Sequence, residues 1–167
     1  MSEYVNKGEL FARIEEKLKG QGFRIDNIDQ TRPWGGFFVI NEEQAQQFAD
    51  TYFEGLNVQD LKISGKLSPK ILVVAPEKRL SWQYHHRRAE IWQVAEGEVA
   101  VVTSATDEED ERRVLKAGDV IRLSQGERHR LIGLEGYGVV AEIWQHTEAG
   151  NPSDEDDIVR VQDDFGR

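Results

Sequence analysis

Gln83, His85 and Glu90 stand close together in the chain, His129 stands far downstream, and all four are residue types that can hold a divalent metal. In an extended strand, residues two apart project from the same face, so Gln83 and His85 can share one ligand. Glu90 comes five residues after His85, a spacing that an unbroken strand would send to the opposite face. A turn through His86-Arg87-Arg88-Ala89 is therefore needed to bring it back. His129 ends the pattern Gly118-x5-Ser124-x-Gly126-x2-His129, a tight hairpin leading into a strand that can pair near the first. An amide oxygen, two imidazoles and a carboxylate suit octahedral or tetrahedral coordination, with one or two positions open to substrate or water. A QxH pair also recurs by chance, and His85 alone reads more readily as an ordinary strand histidine than as a ligand. His86, by alternation, faces away.

Composition narrows the chemistry. The 167 residues include no cysteine, which excludes a disulfide framework, thiol catalysis and thiolate metal sites. With 21 Lys+Arg against 31 Asp+Glu the net charge is −10, which argues against tracking nucleic-acid phosphates or an anionic lipid surface. An anionic small molecule then needs positive charge gathered at one place. At 38% hydrophobic and 31% charged residues, the chain reads as one folded domain with a real core. Met1-Ser2-Glu3-Tyr4 lacks a basic start, and no 18-residue apolar run occurs. The expected location is cytoplasmic, without membrane contact.

Two helices precede a β-rich region. Over 9–19, Leu10, Ile14 and Leu18 form one stripe, with Asn6 as N-cap, Glu9 three residues on, and Gly20 closing. Over 42–54, Ala45, Phe48, Ala49 and Tyr52 repeat at helical spacing, Asn41 and Gln44 have capping-box spacing, and Gly55 stops the element. Arg32-Pro33-Trp34-Gly35-Gly36 breaks any helix and leads into a strand at Phe37–Ile40. From Lys70 to His146 the chain alternates in short segments: Ile71–Ala75, Leu80–His85, Glu90–Ala95, Glu98–Thr103, Arg112–Leu115, Asp119–Leu123, His129–Ile132 and Val139–His146. Hairpin-type turns at Glu96-Gly97, Lys116-Ala117-Gly118, Ser124–Glu127 and Gly136-Tyr137-Gly138 predict antiparallel pairing in a sandwich or barrel. Asp107–Glu111 reads as a solvated loop tip. The acidic, turn-rich stretch after Ala149 reads as a tail.

The segment Gly118–Gly133 resembles the second cupin motif, with Ser124 in place of the usual proline and Gly133 in place of the usual asparagine. Gln83-x-His85-x4-Glu90, followed by Gly97, is similar to the first motif, with glutamine replacing its first histidine. Further blocks carry a closer likeness: Arg32-Pro33-Trp34-Gly35, Lys70, LSWQYHHRRAEIWQVAEGEV at 80–99, AEIWQ at 141–145 and EDDIVRVQDDFGR at 155–167. In this order they resemble the C-terminal cupin domain of type II mannose-6-phosphate isomerases, a module often fused to mannose-1-phosphate guanylyltransferase. The likeness spans roughly 32–167, interrupted by 41–69. Family members usually carry a smaller apolar residue at Trp82, which is expected to narrow the pocket, and a histidine at Arg87; Ile91 also departs from the pattern. No glycine-rich nucleotide loop is present, so nucleotide transfer is not expected.

The resemblance implies an all-β cupin, a jelly-roll antiparallel β-sandwich barrel with two helices in its N-terminal half. One domain over 1–167 is expected, of which 1–31, read as a helical extension, has no counterpart in the family. The resemblance further implies that Gln83, His85, Glu90 and His129 hold one divalent metal, zinc by family habit, and that the ligand is a small phosphorylated sugar. Aldose–ketose isomerisation moves a proton between C1 and C2 and needs an electrophile and a base. Glu142 is read as base or proton relay and Lys70 as neutralising the oxyanion. Arg160 and Arg167 match substrate-associated arginines, with Arg88 and Arg32 as further phosphate partners. Bland readings stand beside these: Glu142 as partner of a buried cation, Arg160 in a surface pair with Asp156 or Asp157, and Trp34, Trp92 and Trp144 as core or wall. His146 reads as solvated. A non-catalytic sugar-phosphate binder is the alternative function, and a homodimer is expected by analogy.

Overall fold

The structure is a computed structural model that describes residues 6–60, 66–148 and 150–166. Helix α1 (Lys7–Gly20) begins where the Asn6 side chain accepts the Glu9 backbone N–H at 2.8 Å, and it buries Leu10, Phe11, Ile14 and Leu18. Strands β1 (Ile25–Asp29) and β2 (Gly35–Ile40) follow. The stretch expected as one helix over 42–54 divides into a 3₁₀ turn (Glu42–Gln44) and helix α2 (Ala45–Tyr52). Asn41 does cap that turn, accepting the Glu43 N–H. Gln44, however, does not complete a box: it spends its amide on Arg24 N and Gly22 O.

The remaining strands are β3 (Lys70–Val74), β4 (Trp82–Tyr84), β5 (Arg88–Glu96), β6 (Glu98–Ser104), β7 (Arg113–Lys116), β8 (Val120–Leu123), β9 (Arg128–Gly133), β10 (Gly138–His146) and β11 (Val159–Gln162). They form two sheets, ordered β1-β2-β3-β10-β5-β8 and β11-β4-β9-β6-β7, paired antiparallel throughout. The all-β architecture with two helices is as expected. Two strands were not. β1 lies in the stretch read as a helical extension, and its run IDNID offers little apolar alternation because it is a sheet edge. β11 lies in the supposed tail.

Three apolar clusters explain the layers. Leu72, Val74, Trp92, Val94, Val99, Val101, Leu123, Leu131 and Val140 fill the space between the sheets. On the far side of the larger sheet, Phe38, Ile40, Ile71, Val73, Ile91 and Ile143 pack against α1 and α2. Covered on both faces, β3 is buried at every position and after Lys70 reads as a continuous apolar run. Trp82 joins Ala100, Val102 and Ile132 on the outer face of the smaller sheet. Its neighbour Gln83 faces inward, so Trp82 does not narrow the pocket as expected. Gly133 is obligatory, since a Cβ there would lie 2.0 Å from the Ala75 carbonyl oxygen.

Candidate metal centre and cavity

Register assembles the site. In the smaller sheet Arg160 opposes Gln83, Gln83 opposes His129, and His129 opposes Thr103, so these side chains form one inward row across four strands. In the larger sheet Lys70 opposes Glu142, Glu142 opposes Trp92, and Trp144 opposes Glu90. Between Gln83 and Glu90 the chain turns at His86 and Arg87, and β5 starts at Arg88. Arg88, Glu90 and Trp92 then alternate onto the inner face. The anticipated turn is present and two residues shorter than its four-residue estimate, since Arg88 and Ala89 already belong to β5.

His85, Glu90 and His129 converge. Glu90 Oε2 lies 3.3 Å from His85 Nε2, and Glu90 Oε1 lies 3.5 Å from His129 Nε2; all three residues are buried. The ring contacts fix the tautomers: His85 Nδ1 is 2.7 Å from the Asp157 carbonyl and His129 Nδ1 is 3.2 Å from the Glu127 carbonyl. A carbonyl can only accept, so each Nδ1 carries the hydrogen and each Nε2 turns a lone pair toward Glu90. Burial pushes the His85 imidazole down to about 4 and lowers His129 too, although Glu90 pulls both upward. Both rings are thus neutral near pH 7. Burial alone would raise Glu90, but His85, Arg88 and His129 outweigh it and hold the carboxyl below its ordinary range.

These three residues fit a divalent metal. Neutral imidazoles whose Nδ1–H groups are held by backbone carbonyls, facing one ionised carboxylate at spacings of about one coordination polyhedron edge, are what such a site requires. Gln83 is adjacent but presents its amide nitrogen, 3.4 Å from His129 Nε2, while its oxygen accepts the Ser81 hydroxyl at 2.7 Å. The amide oxygen expected as a fourth ligand faces the other way.

A cavity of ≈ 420 Å³ opens over this centre, lined among others by Gln83, His85, Glu90, Trp92, Glu142 and Lys70. The Trp92 indole N–H is shared between Glu90 Oε1 at 3.2 Å and Glu142 Oε2 at 3.0 Å, and Trp144 donates to Glu142 Oε1 at 3.2 Å. Burial, reinforced by Glu90, pushes the Glu142 carboxyl up to about 8; Lys70 and Arg88 offset this only in part. Lys70 is buried, pairs with Glu155 and lies 5.0 Å from the Trp144 ring. Trp34 also lines the cavity, with a buried indole N–H that finds no partner among the described residues.

The arginines separate by depth. Arg88 is buried and committed inward: Nε bonds Glu90 at 2.9 Å, Nη1 bonds Ser153 Oγ and the Asp154 carbonyl, and the guanidinium lies 3.8 Å over Trp144. Arg160 and Arg32 line the cavity nearer solvent, and Arg32 pairs with Asp29 at 3.0 Å. Arg167 lies outside the described residues. His146, expected to be solvated, is buried, contacting the Lys66 carbonyl and accepting the Ser153 N–H. Sequence reasoning missed Ser153 and Asp157, which lie buried against the His85 side of the site. Among the described residues, no helix is long and apolar enough to cross a membrane.

Two antiparallel sheets face to face, with a histidine–glutamate–histidine cluster at one open end, define a cupin. The family of mannose-6-phosphate isomerase C-terminal domains matches residues 41–163, and the chain belongs to that family. The match takes in the 41–69 stretch that interrupted the sequence blocks. Similar proteins include the mannose-1-phosphate guanylyltransferase ManC of Salmonella typhimurium, 27% identical over 157 residues, covering 93% of this chain and 27% of that protein. The xanthan biosynthesis protein XanB of Xanthomonas campestris is 29% identical over 136 residues, covering 81% of this chain and 23% of that protein. The chain thus spans about a quarter of the length of these relatives. Among solved structures, the capsular polysaccharide assembling protein CapF of Staphylococcus aureus shares the fold, with a TM-score of 0.53 at 14% identity over 84% of this chain and 34% of that one.

Proposed function

We propose that this protein is a metal-dependent sugar-phosphate aldose–ketose isomerase of the mannose-6-phosphate type, acting in the supply of nucleotide-sugar precursors. The observation that carries the reading is the joining of two buried carboxyls through one indole N–H, with Glu90 drawn down by His85, Arg88 and His129 and Glu142 pushed up by burial. Pairs of acids pushed apart in this way are the mark of acid–base chemistry. A divalent ion held by His85, Glu90 and His129, for which zinc suits the donor set, would supply Lewis acidity toward a sugar oxygen.

The chain's own groups then divide the work. Glu142, with a pKa about 8, is suited to pass a proton to and from the sugar near C1 and C2. Lys70 sets a buried cation beside it against developing oxygen charge. Trp34 offers an unused N–H to a hydroxyl, and Arg160 at the mouth receives the phosphate. The apolar layer beneath the site, from Leu72 to Leu131, keeps water from entering from below. The test is conversion of mannose 6-phosphate to fructose 6-phosphate by metal-loaded protein, lost in His85→Ala. Folded, metal-loaded protein that leaves mannose, glucose and heptose phosphates all unchanged would overturn it.

A second reading, a sugar-phosphate binder without turnover, is favoured by one contact: Lys70 is already neutralised by Glu155. Calorimetric binding with no product would select it.

A further inference from the structure

We propose that the segment Ser153–Asp157 is an orienting strap for the metal centre, and that Asp157 is its positioning residue. The proposal rests on the metal reading of His85, Glu90 and His129. Asp157 is 4% exposed although Asp154, Glu155 and Asp156 around it are exposed. Its carboxylate accepts the backbone N–H of His86 at 2.8 Å on Oδ1, and on Oδ2 the N–H of Arg87 at 2.9 Å and the Ser153 hydroxyl at 2.7 Å. Its carbonyl accepts His85 Nδ1–H at 2.7 Å. One residue therefore clamps both the turn that carries the chain from His85 to Glu90 and the His85 ring itself.

The strap reaches a second side chain of the centre, Glu90, through a cation. Arg88 Nη1 donates to Ser153 Oγ at 3.0 Å and to the Asp154 carbonyl at 2.9 Å, which fixes the guanidinium whose Nε holds Glu90 Oε2. The strap is itself anchored, since Ser153 N donates to His146 Nδ1 at 3.0 Å. A surface tail seeking only to satisfy its own charges has no need to place a carboxylate in the interior against two amide hydrogens. Removing carboxylate charge there loosens the turn, frees the His85 ring to exchange tautomers and withdraws its Nε2 lone pair from Glu90. Outer-shell partners of metal-binding histidines are worth about 10–100-fold in metal affinity.

The experiment uses the full chain, with zinc as the probe titrated calorimetrically, and ring nitrogen-15 spectra of the metal-free protein. Wild type is expected to show His85 as the Nδ1–H tautomer. Asp157→Asn is expected to mix the tautomers and to weaken zinc binding by about 10–100-fold, and Ser153→Ala to do the same to a smaller degree. Asp156→Asn, whose side chain is exposed, should change neither. A folded Asp157→Asn with wild-type tautomer and zinc affinity overturns the proposal, and if that variant fails to fold, an unaltered Ser153→Ala does so. Loss of the tautomer in a protein whose wild type takes up no zinc overturns the metal reading alone and leaves the orienting role of Asp157 standing.

Discussion

Glu90 and Glu142 share one hydrogen: the Trp92 indole N–H lies 3.2 Å from the first carboxylate and 3.0 Å from the second. The sharing is possible because Trp92 follows Glu90 by two on β5 and directly opposes Glu142 on β10. Two carboxyls so linked in a buried space cannot both be charged at low cost. Arg88 resolves the competition, bonding Glu90 at 2.9 Å and leaving Glu142 to keep its proton.

This has a consequence for stability against pH. A carboxyl whose folded pKa is raised from 4.5 to about 8 binds its proton more tightly when folded, so its contribution is complete below pH 4.5 and is lost as pH rises toward 8. Glu142→Gln removes that loss. Urea midpoints of metal-free wild type and Glu142→Gln, measured from pH 5 to 9, should therefore diverge, with wild type falling relative to the variant and the gap levelling above about pH 8. The two histidines act oppositely: His85, lowered from 6.5 to about 4, adds stability that is gained as pH rises through that interval. Parallel midpoints for the two proteins would show that Glu142 is ionised throughout.

Metal should stabilise the fold through the same centre. A ligand present at 100 times its Kd adds about 2.7 kcal/mol to a folded state that alone binds it. Thermal unfolding with zinc in such excess should rise by several degrees in wild type and fall back on adding EDTA. His129→Ala, which opens the triad while leaving the Gln83 strand paired on its other side to β11, should show no zinc-dependent rise. An equal rise in both proteins would place the binding elsewhere.

How much of this was legible follows from what each residue's partners are. His85, Glu90 and His129 were readable because strand alternation and turn glycines are local signals, and their meeting needed only antiparallel pairing. Glu142 and Lys70 were readable only through resemblance. Asp157 was not readable from the residues at all: it sits in a run of acids whose charge argues for solvent, and two of its three hydrogen-bond donors are backbone amides, which leave no mark on sequence. His146 failed for a related reason, since a strand end looks exposed until Ser153 and Lys66 are found folded over it. β1 and β11 are edge strands, and the charged residues that protect edges also hide them.

Arg88 and Arg160 should differ in kind when removed, because depth sets what a cation does. Arg88 neutralises a fully buried carboxylate, and breaking such a pair from one side leaves a buried charge uncompensated, at about 3–5 kcal/mol. Arg88→Met is thus expected to lower the urea midpoint of the metal-free protein sharply, and this loss should be insensitive to salt. Arg160 is exposed at the cavity mouth, where charges are screened over about 8 Å at physiological ionic strength. Arg160→Ala should leave unfolding within about 0.5 kcal/mol of wild type. Instead it should weaken calorimetric binding of mannose 6-phosphate several-fold at low salt, with the difference from wild type shrinking as salt is added. Equal binding by Arg160→Ala and wild type at low salt would remove Arg160 from the phosphate site.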